Sequence, residues 1–152
     1  MVNAQGDGLD SNGNINVTGG TIIVHGPTRN DNGALDCNGN FLMSSGFLVA
    51  VGSSGMAEVP DDSSTQEVLA ASYGSAQAAG TMVHVEAADG TQILTFVPAK
   101  AYQSVVICSP LLQKGTTYNF YSGGSSTGTL ADGLYSGGTY TAGTKLGSIT
   151  IS

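Results

Sequence analysis

The chain has 152 residues, enough for one domain or two small ones, and its 40 % apolar share excludes a disordered tract. Only 10 % of the residues are charged, and eleven acids against Arg29, Lys100, Lys114 and Lys145 leave a net charge of −7. That balance excludes nucleic acid and anionic lipid as partners, and no apolar run approaches the ~18 residues of a membrane helix, so no membrane insertion is expected. An acidic polysaccharide would also be repelled unless a divalent cation bridged the two.

A phrase recurs near the N-terminus. Gly8-Leu9-Asp10-Ser11-Asn12-Gly13-Asn14 returns as Ala34-Leu35-Asp36-Cys37-Asn38-Gly39-Asn40, 26 positions later. The register continues, with Ile15 on Phe41, Val17 on Met43, Thr18 on Ser44, Ile22 on Leu48 and Gly26 on Gly52. Self-similarity at this period marks stacked repeats. Each copy carries β-branched residues, glycines and an Asp/Asn cluster, with no helical pattern. Residues 5–30 and 31–56 therefore read as two coils. Asn14–Val17 and Thr21–His25 are strands separated by a bend at Thr18-Gly19-Gly20, repeated as Phe41–Met43, Ser44-Ser45-Gly46 and Phe47–Val51. Three short strands per coil, at ~3.3 Å per residue, fit a three-sided parallel β-helix with coils about 4.8 Å apart.

Residues 57–65 carry Pro60, Asp61 and Asp62 and read as a linker or capping loop. The period is then gone, and hairpin-like strands begin. Val68–Tyr73 is one. Thr81–Glu86 and Thr91–Phe96 flank Ala88-Asp89-Gly90, a hairpin turn signal. Tyr102–Cys108, Thr116–Tyr121 and Leu146–Ile151 follow, and Ser75–Ala79 reads as a single helical turn. Residues 122–145 are rich in Gly, Ser and Thr, with Leu130, Leu134 and Tyr135 as anchors. The expected architecture is all-β. Residues 1–56 are two coils of a right-handed parallel β-helix, and 66–152 are an antiparallel β-sandwich-like domain that covers the helix end. Cys37 and Cys108 fall in different units and are read as unpaired thiols.

Several strings carry a resemblance. Gly6–Gly13 with Val17-Thr18-Gly19-Gly20-Thr21 resembles the coil signature of secreted bacterial carbohydrate-binding proteins built as a right-handed parallel β-helix. Ser109–Tyr118 and Asp132–Tyr140 resemble the segment that follows those coils. The resemblance implies a polysaccharide-binding, non-hydrolysing protein, related in shape to polysaccharide lyases. It also implies association with Ca²⁺ and with plant cell-wall polymers such as pectin (polygalacturonate) or cellulose, at the bacterial cell surface. The chain holds only two recognisable coils, so it is expected to be part of a longer protein, with any signal peptide upstream.

The acidic clusters support two readings. Asp7, Asp10 and Asn12, with Asp31, Asp36 and Asn38 in the second coil, offer oxygen ligands of the kind Ca²⁺ takes. Stacking would set Asp10 over Asp36 within roughly 5 Å, where two carboxylates repel unless a cation lies between them. Equally, Asp and Asn suit side-chain-capped turns without any metal.

No lyase or hydrolase is expected. Arg29 is the only basic side chain in the coils and stands beside Asp31, so it reads as an ion pair, although it remains a candidate sugar contact. His25 and His84 read as packed strand residues, and no Gly-x-Ser-x-Gly elbow precedes a helix. Asp61-Asp62 reads as a solvated turn. Sugar binding commonly uses aromatic platforms, and Tyr135 and Tyr140, in the glycine-rich stretch, are the candidates. The sequence thus points to a non-catalytic, calcium-assisted carbohydrate-binding module. The alternative is a structural cap or adhesin stalk that binds no glycan.

Overall fold

The computed structural model describes residues 1–152 and is all-β. Its strands, in chain order, are β1 (Val2–Asn3), β2 (Leu9–Ser11), β3 (Ile15–His25), β4 (Leu35–Cys37), β5 (Phe41–Gly52), β6 (Val68–Gln77) and β7 (Val83–Ala87). They continue with β8 (Gln92–Phe96), β9 (Tyr102–Cys108), β10 (Thr117–Ser126), β11 (Thr129–Ala131), β12 (Leu134–Ser136) and β13 (Tyr140–Thr150).

The two copies of the repeat pair in parallel. β2 lies on β4 with Leu9 opposite Leu35 and Asp10 opposite Asp36, and β3 lies on β5 with Ile15 opposite Phe41 and Ile22 opposite Leu48. Hydrogen bonding thus joins each residue to its sequence equivalent. The register slips at the bend, where Thr18 faces Ser45 rather than Ser44, and is regained with Thr21 opposite Phe47; the Ser44 hydroxyl donates instead to the Val17 carbonyl. Gly20 and Gly46 take positive φ there, at 85° and 97°. Each copy of the repeat therefore carries one long bent strand where two were expected. β1 adds a partial further layer in parallel, with Val2 opposite Val24.

Hydrogen bonding then crosses the change of sequence pattern at 57–65. β5 pairs antiparallel with β9, and β9 with β6, giving a five-stranded sheet ordered β1-β3-β5-β9-β6. A six-stranded antiparallel sheet, β11-β12-β8-β7-β10-β13, packs against it. Where β5 pairs with β9, the five-stranded sheet is buried on both faces. Val49, Val51, Val105 and Ile107 meet Val83, Val85, Phe96 and Tyr118 of the six-stranded sheet. Leu48, Ala50, Val106 and Cys108 join Leu35, Phe41 and Met43 on the other side. This two-sided burial explains the continuous apolar runs Phe47–Val51 and Val105–Ile107.

The loop 57–66 runs along the free edge of β5 and satisfies it. Asp61 N–H donates to Phe41 O at 2.8 Å while its carboxylate accepts from Phe41 N–H, and Ser64 Oγ accepts from Met43 N–H at 3.0 Å. Gln66 Nε2 donates to Gly46 O at 2.9 Å. Asp61 is therefore an edge cap and not a solvated turn residue, because unpaired strand groups need partners.

Two further expectations change. Ser75–Ala79 forms no helical turn. β6 continues through Gln77 with extra residues between its pairs Ser72–Ser104 and Gln77–Tyr102. Leu130 is 54 % exposed and anchors nothing, because β11 is an edge strand, whereas Leu134 packs on the core. Cys37 and Cys108 are both free, as the sequence led us to expect.

Candidate functional site

The acidic residues of the repeat are spread along its paired copies. Asp7 Oδ1 accepts from Gly33 N–H at 2.8 Å, and Asn12 Oδ1 accepts from Asn38 Nδ2 at 3.3 Å. Asn14 Oδ1 accepts from Asn40 N–H at 2.9 Å. These bonds all join residues 26 apart and knit one rung to the next. Asp10 and Asp36 face each other across the β2–β4 pair. Asp31 is engaged elsewhere, in a bidentate pair with Arg29 at 2.6 and 3.1 Å and with Asn32 at 3.1 Å. Both members are more than half exposed, so the pair contributes little stability. No group of three or more His, Cys, Asp or Glu side chains is arranged to hold a metal ion. The ligands on hand near Asp10 and Asp36 are these two carboxylates and neighbouring amides.

The six-stranded sheet carries a second concentration of polar and aromatic groups, on the face turned away from the core. Alternation creates it. On β7, Val83, Val85 and Ala87 point to the core and His84 and Glu86 away; on β10, Tyr118 and Phe120 point inward and Asn119 and Tyr121 away. Pairing then aligns the outward residues in two rows. Thr95, His84, Tyr121 and Lys145 form one row across four strands, and Gln92, Glu86, Asn119 and Ser148 form the next.

His84 is the centre of this face and is fully buried. Its Nε2 lies 3.1 Å from Glu86 Oε2 and its Nδ1 lies 2.8 Å from Thr95 Oγ1. A carboxylate only accepts, so Nε2 carries the proton and Nδ1 accepts from the Thr95 hydroxyl. Burial holds the imidazole pKa below its ordinary value, and Glu86 partly opposes this. Tyr140 provides the cover. Its ring stacks on His84 with centroids 3.7 Å apart at 14°, and Tyr121 meets Tyr140 edge-on at 6.1 Å. The Tyr140 hydroxyl donates to Gly123 O at 2.7 Å and accepts from Gly143 N–H at 3.0 Å.

Glycine makes that cover possible. Gly123 and Gly124 both take positive φ, bending the β10–β13 arm, and a Cβ on Gly143 would lie 2.2 Å from Ser122 O. Tyr135 sits apart from this cluster, lining a pocket of about 170 Å³ with Phe47, Gln92, Thr95 and Leu134. Partial burial and the nearby Glu86 carboxylate push the Tyr121 phenol pKa up, so it stays a neutral donor.

Of the expected sugar contacts, the structure brings Tyr140 to this face, sets Tyr135 apart in the pocket with Phe47 and Leu134, and pairs Arg29 with Asp31. His84, Glu86, Thr95 and Tyr121 complete the cluster. Their signal was the alternation in His84-Val85-Glu86 and Asn119-Phe120-Tyr121. Thr95, His84 and Glu86 stand in the order of a hydroxyl–imidazole–carboxylate relay, with the Tyr140 ring stacked over His84. Comparison with protein-family models, with curated proteins and with solved structures returned no match.

Proposed function

We propose that the chain is a non-catalytic carbohydrate-binding module of a secreted bacterial surface protein, directed at plant cell-wall polysaccharide and assisted by Ca²⁺. The observation that carries this reading is the outward face of the six-stranded sheet. There Tyr121 and Tyr140 stand among Gln92, Glu86, Asn119 and Lys145. Aromatic rings pack on the apolar faces of sugar rings, and amides and carboxylates meet the hydroxyls at their rims. Asp10 and Asp36, facing each other on the coils, are the residues that would share a Ca²⁺ ion and present it to uronate carboxylates. The parallel pairing of the repeat, at an offset of 26 residues on both sides of the bend, supports a two-coil parallel β-helix as the scaffold.

Polysaccharide pull-down with and without Ca²⁺ tests both parts. Loss of binding in Tyr121→Ala supports the sheet face. Loss on chelation and in Asp10→Ala supports the cation. Binding unchanged by all three would refute the reading. A second reading, a structural cap or adhesin stalk without glycan binding, is favoured by the hydrogen bonds with which residues 57–66 seal the edge of β5. Silence on a broad glycan array would favour it.

A further inference from the structure

His25 closes β3, 3 % exposed, and uses both ring nitrogens. The Ala99 N–H donates to Nδ1 at 3.1 Å, so that nitrogen carries no proton; Nε2 therefore donates to the Asp132 carbonyl at 3.0 Å. The ring also stacks on Phe96, with centroids 5.1 Å apart. One imidazole thus joins the repeat, the segment after β8, and the turn of the β11–β12 hairpin.

Beyond this, Leu134 seats on the core and few backbone bonds tie the hairpin to the sheet. β12 pairs with β8 at one registered position, Leu134 opposite Phe96, and Val97 N–H donates to Gly133 O at 2.7 Å. β11 is exposed throughout. Asp132, whose carbonyl faces the imidazole, is the one non-glycine residue with positive φ, at 52°.

We propose that His25 is a proton-operated latch: the neutral ring bridges Ala99 and Asp132, and its protonation releases the β11–β12 hairpin, with Tyr135, from the sheet. The chemistry is one of donors. A proton added at Nδ1 would face the Ala99 N–H, donor against donor. That bond is lost and a charge is left buried, so the ring must turn or leave. Imidazole takes its second proton in mildly acid water.

The surrounding charges are few. β1, β5 and β8 carry no titratable side chain, and β3 carries only His25 itself. Lys100, on the segment after β8, donates its ammonium to the Ala4 carbonyl, and Ala4 N–H donates to His25 O at 3.1 Å. The remaining charged groups on the segments around the ring are the Met1 amino group, just before β1, and Asp132, whose carbonyl the ring meets. His84 differs in kind. When it is protonated, the Thr95 hydroxyl turns from donor to acceptor and both ring nitrogens keep partners.

Amide hydrogen exchange followed by NMR on the whole chain, between about pH 7.5 and 5, tests this. Protection factors at Ala99 and Val97 are expected to fall roughly tenfold or more across the range, while those of β7 and β10 hold. His25→Gln keeps one donor and one acceptor without titrating, and is expected to abolish the step. His84→Asn is expected to leave it in place. Constant Ala99 protection, or a step that survives His25→Gln or vanishes in His84→Asn, would overturn the proposal. If His25→Gln fails to fold, ¹⁵N shifts of the wild-type ring decide. A change from the Nε2–H tautomer to imidazolium must accompany the loss of Ala99 protection, and a ring that stays neutral throughout would sink the latch.

Discussion

Leu9 and Leu35 are the same residue one rung apart, hydrogen-bonded in register, yet Leu35 is 1 % exposed and Leu9 only partly buried. The difference is position in the stack. Phe41 and Leu48 are buried at 3 % and 0 %, while their upper equivalents Ile15 and Ile22 are partly covered. β1 roofs only the last part of the upper rung, at Val24 and His25.

This asymmetry sets an energetic order. Leu35→Ala removes a filled core position and is expected to cost about 2–5 kcal/mol. Leu9→Ala is expected to cost about 1 kcal/mol, since much of its side chain already meets water. Urea unfolding of both variants checks it, and equal costs would show that the upper rung is as tightly closed as the lower.

Two glycines separate packing from backbone freedom. A Cβ on Gly26 would lie 2.7 Å from both Ala34 Cβ and Val51 O, whereas one on Gly19 meets nothing within 4 Å. Gly26→Ala is therefore expected to destabilise by about 1–3 kcal/mol, through forced separation of the rungs. Gly19→Ala, free of positive φ, is expected to be neutral or stabilising by up to about 1 kcal/mol. Thermal melts distinguish them, and a tolerated Gly26→Ala would mean the rungs can part cheaply.

The repeat was legible because parallel stacking sets equivalent residues on one another, so the offset that aligns Leu9 with Leu35 in sequence is the offset of the hydrogen bonds. The slip at Ser44 was not legible, since a bulge leaves no mark in a glycine- and serine-rich bend. Nor was the insertion of β9 beside β5. Antiparallel pairing of Leu48 with Cys108 joins residues 60 apart in the chain without any periodicity to announce it. The strand faces of Tyr118/Phe120 and Asn119/Tyr121 followed from alternation, and which of them is core followed only from the packing. Tyr140 could be proposed as a surface aromatic, but its seat on His84 depends on the bend at Gly123 and Gly124, which the sequence leaves free.

His84 gives the stability a pH dependence of known sign. Burial lowers its pKa in the folded chain, and the unfolded imidazole titrates near ~6.5. As pH falls through that value the unfolded chain takes up the proton first. The stabilisation from neutral His84 is therefore full above it, is lost as pH falls toward the folded value, and levels off below. Denaturant melts from about pH 8 to 4.5 are expected to show a shallower acid-side fall in His84→Asn than in wild type. Parallel curves would place His84 in a less dry setting than its contacts indicate.

Tyr140 is what keeps His84 dry. In Tyr140→Phe the stacked ring remains and only the bonds to Gly123 O and from Gly143 N–H are lost, so a cost of about 1–2 kcal/mol is expected with the His84 pKa still lowered. In Tyr140→Ala the ring goes as well. Water then reaches the imidazole, the desolvation that lowers its pKa weakens, and the Glu86 carboxylate at 3.1 Å now pulls it upward with little opposition. NMR titration of the His84 ring protons is expected to show the midpoint rising in Tyr140→Ala and holding in Tyr140→Phe. An unchanged midpoint in both would mean that the sheet beneath, rather than the tyrosine above, excludes water from this histidine.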